Sequence, residues 1–356
     1  MNNNILSIHY IRGLSCLMVV LFHFRGVLNN VYAQKDLGNL LFKSGEIGVD
    51  AFFIISGFII CLSTNRQGRI KDFIFKRFFR IYPAYLFFAI IALSLSYIQS
   101  SLSSSDIIDA LLILPRDYSK GSPFFGYSFI VVAWSLFYEI AFYFLFMISM
   151  MISHKHRTII CTILILSCVY IPQIINGVDL TLSPLESADI ESLKYLSIFT
   201  SPMMVTFIIG MAIYEAIPVM KYISSISSEC IIKSAFWASA IYFIYCFMVG
   251  INTWHGVTNS VVFIAPFIIC SLLYEMKIGL SFKALPSFFG DISYSLYLCH
   301  IIVLHCLIAF GGDFYFSSNG FSRFFILVSI SLIVSYVSYK AIEKPSSKLC
   351  RYILSK

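Results

Sequence analysis

The chain has 356 residues, 59% of them hydrophobic and 12% charged, with a formal net charge of +7 and a mean hydropathy of +0.85. A soluble domain carries about 25% charged residues, so these figures exclude a water-soluble globular protein. The sequence pI of about 8.8 calls for no nucleic-acid partner, because basic loops on the cytoplasmic face account for it.

At about 20 residues per span the chain has room for about ten transmembrane helices and little else. Apolar runs bounded by polar, Gly or Pro residues predict them near 6–27, 47–64, 80–99, 128–152, 158–175, 197–216, 234–251, 257–274, 290–310 and 321–342. With the N-terminus inside, the basic run 66–80, Lys155, Arg157, Lys221, Lys233, Lys277, Lys283 and the C-terminal tail are cytoplasmic. Asp106, Asp109, Asp117, Glu186, Asp189 and Glu191 then lie outside, as the positive-inside rule prefers. The expected fold is an all-α bundle of about ten transmembrane helices with both termini cytoplasmic. Residues 1–345 form the transmembrane domain and 346–356 a short basic cytoplasmic tail, with no appended soluble domain. The first segment lacks a basic n-region and cleavage site, so it reads as a retained span. None of the ten cysteines has CxxC spacing, and neither a disulfide framework nor a metal site is expected.

The first span contains Arg12 and His23. Eleven residues at about 100° each come within roughly 20° of three full turns, so the two share a face about 16 Å apart along the axis. Titratable groups in a span are costly and mark function. In the second span, GVDAFFIISGFI places Gly48, Ser56 and Gly57 where helices approach closely. Asp50 lies near the membrane surface, as a helix-start residue or a cavity-lining group. At the mouth of the third span, Lys76, Arg77 and Arg80 cluster, the two arginines on one face. They suit phosphate oxygens, although a basic lipid anchor would look the same.

In the fourth span, Trp134, Ser135 and Glu139 include an i,i+4 polar pair and a membrane-embedded carboxylate. Glu139 is a candidate partner for His23, a ligand for a sugar hydroxyl, or a structural packing group. The ninth span carries Ser293, Tyr297 and His300 as one polar stripe, able to line a cavity or to bond between helices.

Taken together these motifs resemble the membrane acyltransferase-3 family. The likeness rests on Arg12 with ten residues before His23, Gly48–Ile59, Arg77 and Arg80 followed by Ile81 and Pro83, Trp134–Glu139, Ser293–His300 and Glu343-Lys344-Pro345. The resemblance implies an O-acyltransferase that takes an acyl group, most often acetyl from acetyl-CoA, to a hydroxyl of a bacterial surface glycan. O-antigen or a related lipid-linked polysaccharide is the favoured acceptor. It implies a catalytic role for His23 and donor-binding roles for Arg12, Arg77 and Arg80. Lys76 joins the donor cluster by position, and Glu139 is the companion catalytic candidate. Asp50, Trp134, Ser135, Ser293, Tyr297 and His300 are expected to contact the acceptor or line the cavity. Acyl-CoA acts as co-substrate, with no tightly bound cofactor. Membrane lipids and the glycan are the remaining partners, and the location is the bacterial inner membrane. The chain either acylates its acceptor directly or works with a separate periplasmic transferase. His23 serves as general base or is itself acylated; the sequence leaves both open. The rival classes are a transporter of an acyl group or polysaccharide precursor and a non-catalytic membrane scaffold.

Overall fold

The computed structural model describes residues 5–65, 69–99, 102–186 and 196–355. The basic residue Arg66 and the acidic residues Asp189 and Glu191 lie outside the described residues.

Among the described residues the chain is helical, without strands. In chain order the helices are α1 (Leu6–Phe24), α2 (Leu37–Phe42), α3 (Gly48–Thr64), α4 (Ile70–Gln99), α5 (Ser104–Leu112) and α6 (Trp134–Ile152). They continue with α7 (Arg157–Ile175), α8 (Ser197–Thr200), α9 (Val205–Glu215), α10 (Ile217–Ile226) and α11 (Glu229–Val249). The last are α12 (Val261–Lys277), α13 (Ala284–Phe310), α14 (Gly312–Phe316), α15 (Gly320–Ser338) and α16 (Lys344–Leu354). Without water in the hydrocarbon core, each N–H and C=O needs a partner in its own segment, which selects helices for these apolar runs.

Among the described residues eight helical stretches are long and apolar enough to cross a membrane, and Pro202–Glu215 with Ile217–Ile226, bent by 49°, makes a ninth if it acts as one span. The bend falls where Pro218, at the start of α10, has no N–H to continue the preceding helix. Helix α12 has 17 residues, about 26 Å at 1.5 Å per residue, and is short for a span. Eight of the ten expected spans thus have the length and hydropathy of a crossing helix, while the sixth coincides with the bent pair and the eighth with the short α12. Several boundaries also differ, and two of them bear on the basic residues. The third span begins at Ile70 rather than 80, so Lys76, Arg77 and Arg80 stand on a continuous helix. The expected tail is mostly α16, packed against α4; its apolar stripe and basic face favour a surface helix over free coil.

Helices α1, α3, α6 and α13 form the most enclosed part of the bundle, while α11 and α15 turn Trp237, Ile241, Ile244, Phe325 and Ile333 outward. The tight centre depends on missing side chains. A Cβ on Gly57 would lie 2.2 Å from the Phe207 carbonyl oxygen, and one on Gly210 would lie 1.9 Å from that of Ile54. Glycine at both positions lets α3 and α9 pack backbone to backbone. The start of α1 is fixed from a distance: the Leu6 and Ser7 amides each donate to the Glu275 carboxylate at 2.9 Å, and the Ser7 hydroxyl donates to it at 2.6 Å. A carboxylate there satisfies amides that have no intrahelical partner and opposes the helix dipole.

Candidate active site

Between α1, α3, α4, α6 and α13 lies a cavity of about 240 Å³. Arg12, Lys76, Arg77 and Arg80 line it, against one carboxylate, Glu139, so its field is positive. Arg77 and Arg80 reach it because α4 is already helical from Ile70, and Arg12 reaches it from α1. Arg77 donates to the Ser63 hydroxyl at 2.6 Å and lies 4.9 Å over the Tyr143 ring. Arg12 donates through Nη2 to the Gly290 carbonyl. The Nε groups of Arg12 and Arg77 are buried without a hydrogen-bond partner. An unmade bond at a buried charged donor is costly, and an anion bound in the cavity would supply the missing acceptor.

Glu139 does not meet His23. It accepts from the Ser56 hydroxyl at 3.1 Å and from the Tyr143 hydroxyl, one turn along its own helix. This chain of hydroxyls connects the carboxylate to Arg77, whose Nη1 is 3.5 Å from the Tyr143 hydroxyl. Another half-buried carboxylate, Glu343, accepts from the Ser295 amide at 3.0 Å and from its hydroxyl. It ends a single wide helical turn, Tyr339–Glu343, that joins α15 to α16.

His23 is paired with a second imidazole. His300 Nε2 is 3.2 Å from His23 Nδ1. His23 Nδ1 also lies 2.9 Å from the Val19 carbonyl, and His300 Nδ1 lies 3.0 Å from the Leu296 carbonyl. Carbonyls only accept, so each Nδ1 carries a proton. In neutral rings His300 Nε2 then accepts from the bifurcated His23 N–H. That leaves the lone pair of His23 on Nε2, the atom available for chemistry.

The aromatic end of the bundle is arranged differently. Asp50 is wholly buried, with Oδ2 2.7 Å from His255 Nδ1 and Oδ1 accepting from the Gly256 amide at 2.8 Å. His255 sits in the loop between α11 and α12. Burial alone would lower its pKa, but the charge and hydrogen bond of Asp50, with Glu46 behind, outweigh it and raise the value. Phe124, Trp134 and Trp254 close around its ring, with centroids 6.2, 5.4 and 5.5 Å away.

Of the residues singled out from sequence, Arg12, Lys76, Arg77, Arg80, Ser135, Glu139, Ser293 and Tyr297 line the cavity. His23, Asp50, Trp134 and His300 do not. Asp50 is two residues, or about 200°, round α3 from Gly48, whose face meets α1; its carboxylate is spent on the α11–α12 loop. Trp134 packs its ring against Phe124 and His255, and His300 turns to His23. Sequence reasoning missed Tyr143, Ser63 and His255. Tyr143 was within reach, four residues after Glu139; His255 has no periodic partner to announce it.

The profile of the family described as "Acyltransferase domain" matches residues 5–340. "Exopolysaccharide production protein ExoZ" of Rhizobium meliloti (strain 1021) is 24% identical over 311 residues, covering 85% of this chain and 90% of that protein. "Acyltransferase MdmB" of Streptomyces mycarofaciens is 30% identical over 123 residues, 32% of each chain. No solved structure matches.

Proposed function

The chain belongs to the acyltransferase domain family, and from that premise we propose that this multi-pass membrane acyltransferase takes an acetyl group from cytoplasmic acetyl-CoA to a hydroxyl of a surface or lipid-linked polysaccharide. The observation that carries the reading is the cavity with four cations, one carboxylate and two unpartnered guanidinium N–H groups. Pyrophosphate and 3′-phosphate oxygens match those donors in charge and geometry. A volume below the roughly 300–1,000 Å³ of common ligand pockets suits a thin pantetheine arm, the bulky nucleotide staying at the mouth. An exopolysaccharide-type acceptor is supported by the name of the relative that aligns along most of the chain and rests on that analogy. O-antigen is one such acceptor, and the bacterial inner membrane is the compartment that offers both substrates.

In the proposed chemistry His23 Nε2 attacks the thioester carbonyl and the C–S bond breaks. The thiolate leaves and takes a proton from the cytoplasmic side. The Nδ1 proton of His23 passes to His300 Nε2, so the acyl-imidazole is neutral. The acceptor hydroxyl then attacks the acyl carbon from the opposite side, its proton is released, and Nδ1 regains its own from His300. Covalent relay needs room for one substrate at a time, which the narrow cavity favours over direct transfer. Membrane vesicles given radiolabelled acetyl-CoA provide the test. The wild type is expected to label the protein and then the glycan. His23→Ala at equal membrane level is expected to label neither, and full glycan labelling by that variant overturns the assignment.

A further inference from the structure

The cavity does not extend to His23. Its lining stops at Phe52, Ser135 and Tyr297, and neither His23 nor His300 is part of it. Tyr297 stands between. It precedes His300 by one turn on α13, with ring centroids 6.2 Å apart, and Phe52 meets its ring edge-on at 5.6 Å. The hydroxyl of Tyr297 donates to the Val132 carbonyl at 2.7 Å and lies 2.8 Å from the Ser135 hydroxyl. Val132 lies in the turn just before α6 and Ser135 in the first turn of α6.

We propose that Tyr297, backed by Phe52, is a gate between the donor cavity and His23, closed by its tether to Val132 and Ser135 and swung aside when the acyl arm enters. The role rests on the donor reading above. A thioester at the end of an arginine-lined, water-accessible cavity is exposed to hydrolysis, and excluding water from the reacting centre prevents that loss. The tether consists of neutral hydrogen bonds, the weaker kind, so it can open during turnover. A rotation about χ1 to another staggered position moves the whole ring and exposes the face of α1 that carries Cys16, Val19 and His23.

Full-length protein in inside-out vesicles with radiolabelled acetyl-CoA tests the gate, scored for label on glycan and label released as free acetate. Tyr297→Ala is expected to raise the acetate-to-glycan ratio several-fold. Tyr297→Phe keeps the ring without the tether and is expected to raise it less. An unchanged ratio in Tyr297→Ala overturns the gate. If that variant does not turn over, Cys16 decides. This thiol is fully buried, its Sγ 3.0 Å from the Ser293 carbonyl. A charged methanethiosulfonate added from the cytoplasmic side is expected to modify it in Tyr297→Ala and not in wild type, as mapped by mass spectrometry. Equal protection in both overturns the gate. A wild type that transfers no acetyl at all overturns the donor reading instead, and the Cys16 comparison still judges the gate.

Discussion

The two ends of the central bundle both bury charge, but they treat it in opposite ways. Around Arg12 and Arg77 the charges outnumber their partners, guanidinium N–H groups go unmatched, and space is left open. Around Asp50 each carboxylate oxygen is engaged and aromatic rings surround His255. Buried cationic groups left unsatisfied beside a cavity leave room for an anion, whereas a carboxylate with both oxygens engaged among packed rings holds the fold together. The difference teaches that rarity in a membrane span does not by itself separate reactive groups from braces. What separates them is whether the hydrogen bonding is already complete.

Substitutions sharpen this contrast. The largest effect is expected at His23: His23→Ala removes the atom that carries the acyl group and brings acetyl transfer to background, with thermal unfolding in detergent almost unmoved. Asp50→Ala, at the other end, leaves the His255 imidazole and the Gly256 amide without an acceptor and costs about 3–5 kcal/mol of stability. Its melting temperature falls while the KM for acetyl-CoA of the protein that remains folded is unchanged; a selective rise in KM would break the comparison. Arg77→Ala removes a charge-assisted contact of about 1.5–3 kcal/mol, so KM for acetyl-CoA rises by about 10–150-fold and stability changes little.

The smallest effect is a pH dependence. The folded pKa of His255 is raised above its ordinary 6.5, so the folded state binds its proton more tightly than the unfolded state. That stabilisation is complete below the ordinary value and is lost as pH climbs through the raised one. Melting temperature is therefore expected to be higher at pH 5.5 than at pH 8.5, and His255→Gln is expected to remove this difference between the two pH values.

Much of the arginine-lined cavity is legible along the chain because its residues lie on faces of single helices. Arg77 with Arg80, Ser135 with Glu139, and Ser293 with Tyr297 are all spaced three or four apart, and helical periodicity groups each pair. Periodicity cannot say which face meets which. His23 and His300 are 277 positions apart, and Asp50 and His255 are 205 apart, so both pairs emerge only from packing. Glu139 shows the same limit: its spacing places it on a polar face, but packing turns that face toward Ser56 rather than His23. The bend after Glu215 had a local sign in Pro218, whereas the helical start at Ile70 was hidden by the density of charge before Arg80.

The carboxylate clamp on α1 also dictates the order in which this protein becomes functional. Ser7 and His23 are sixteen residues apart, about 24 Å of continuous helix, so fixing one end of α1 sets the depth of the imidazole at the other. The first helix leaves the ribosome long before Glu275 is made, and His300 follows later still. Until α12 arrives, α1 has its packing against α3 but not the clamp on its first turn, and each residue of slip would shift His23 by about 1.5 Å and 100°. Synthesis therefore inserts His23 first and completes the contacts that fix its depth only near the end of translation.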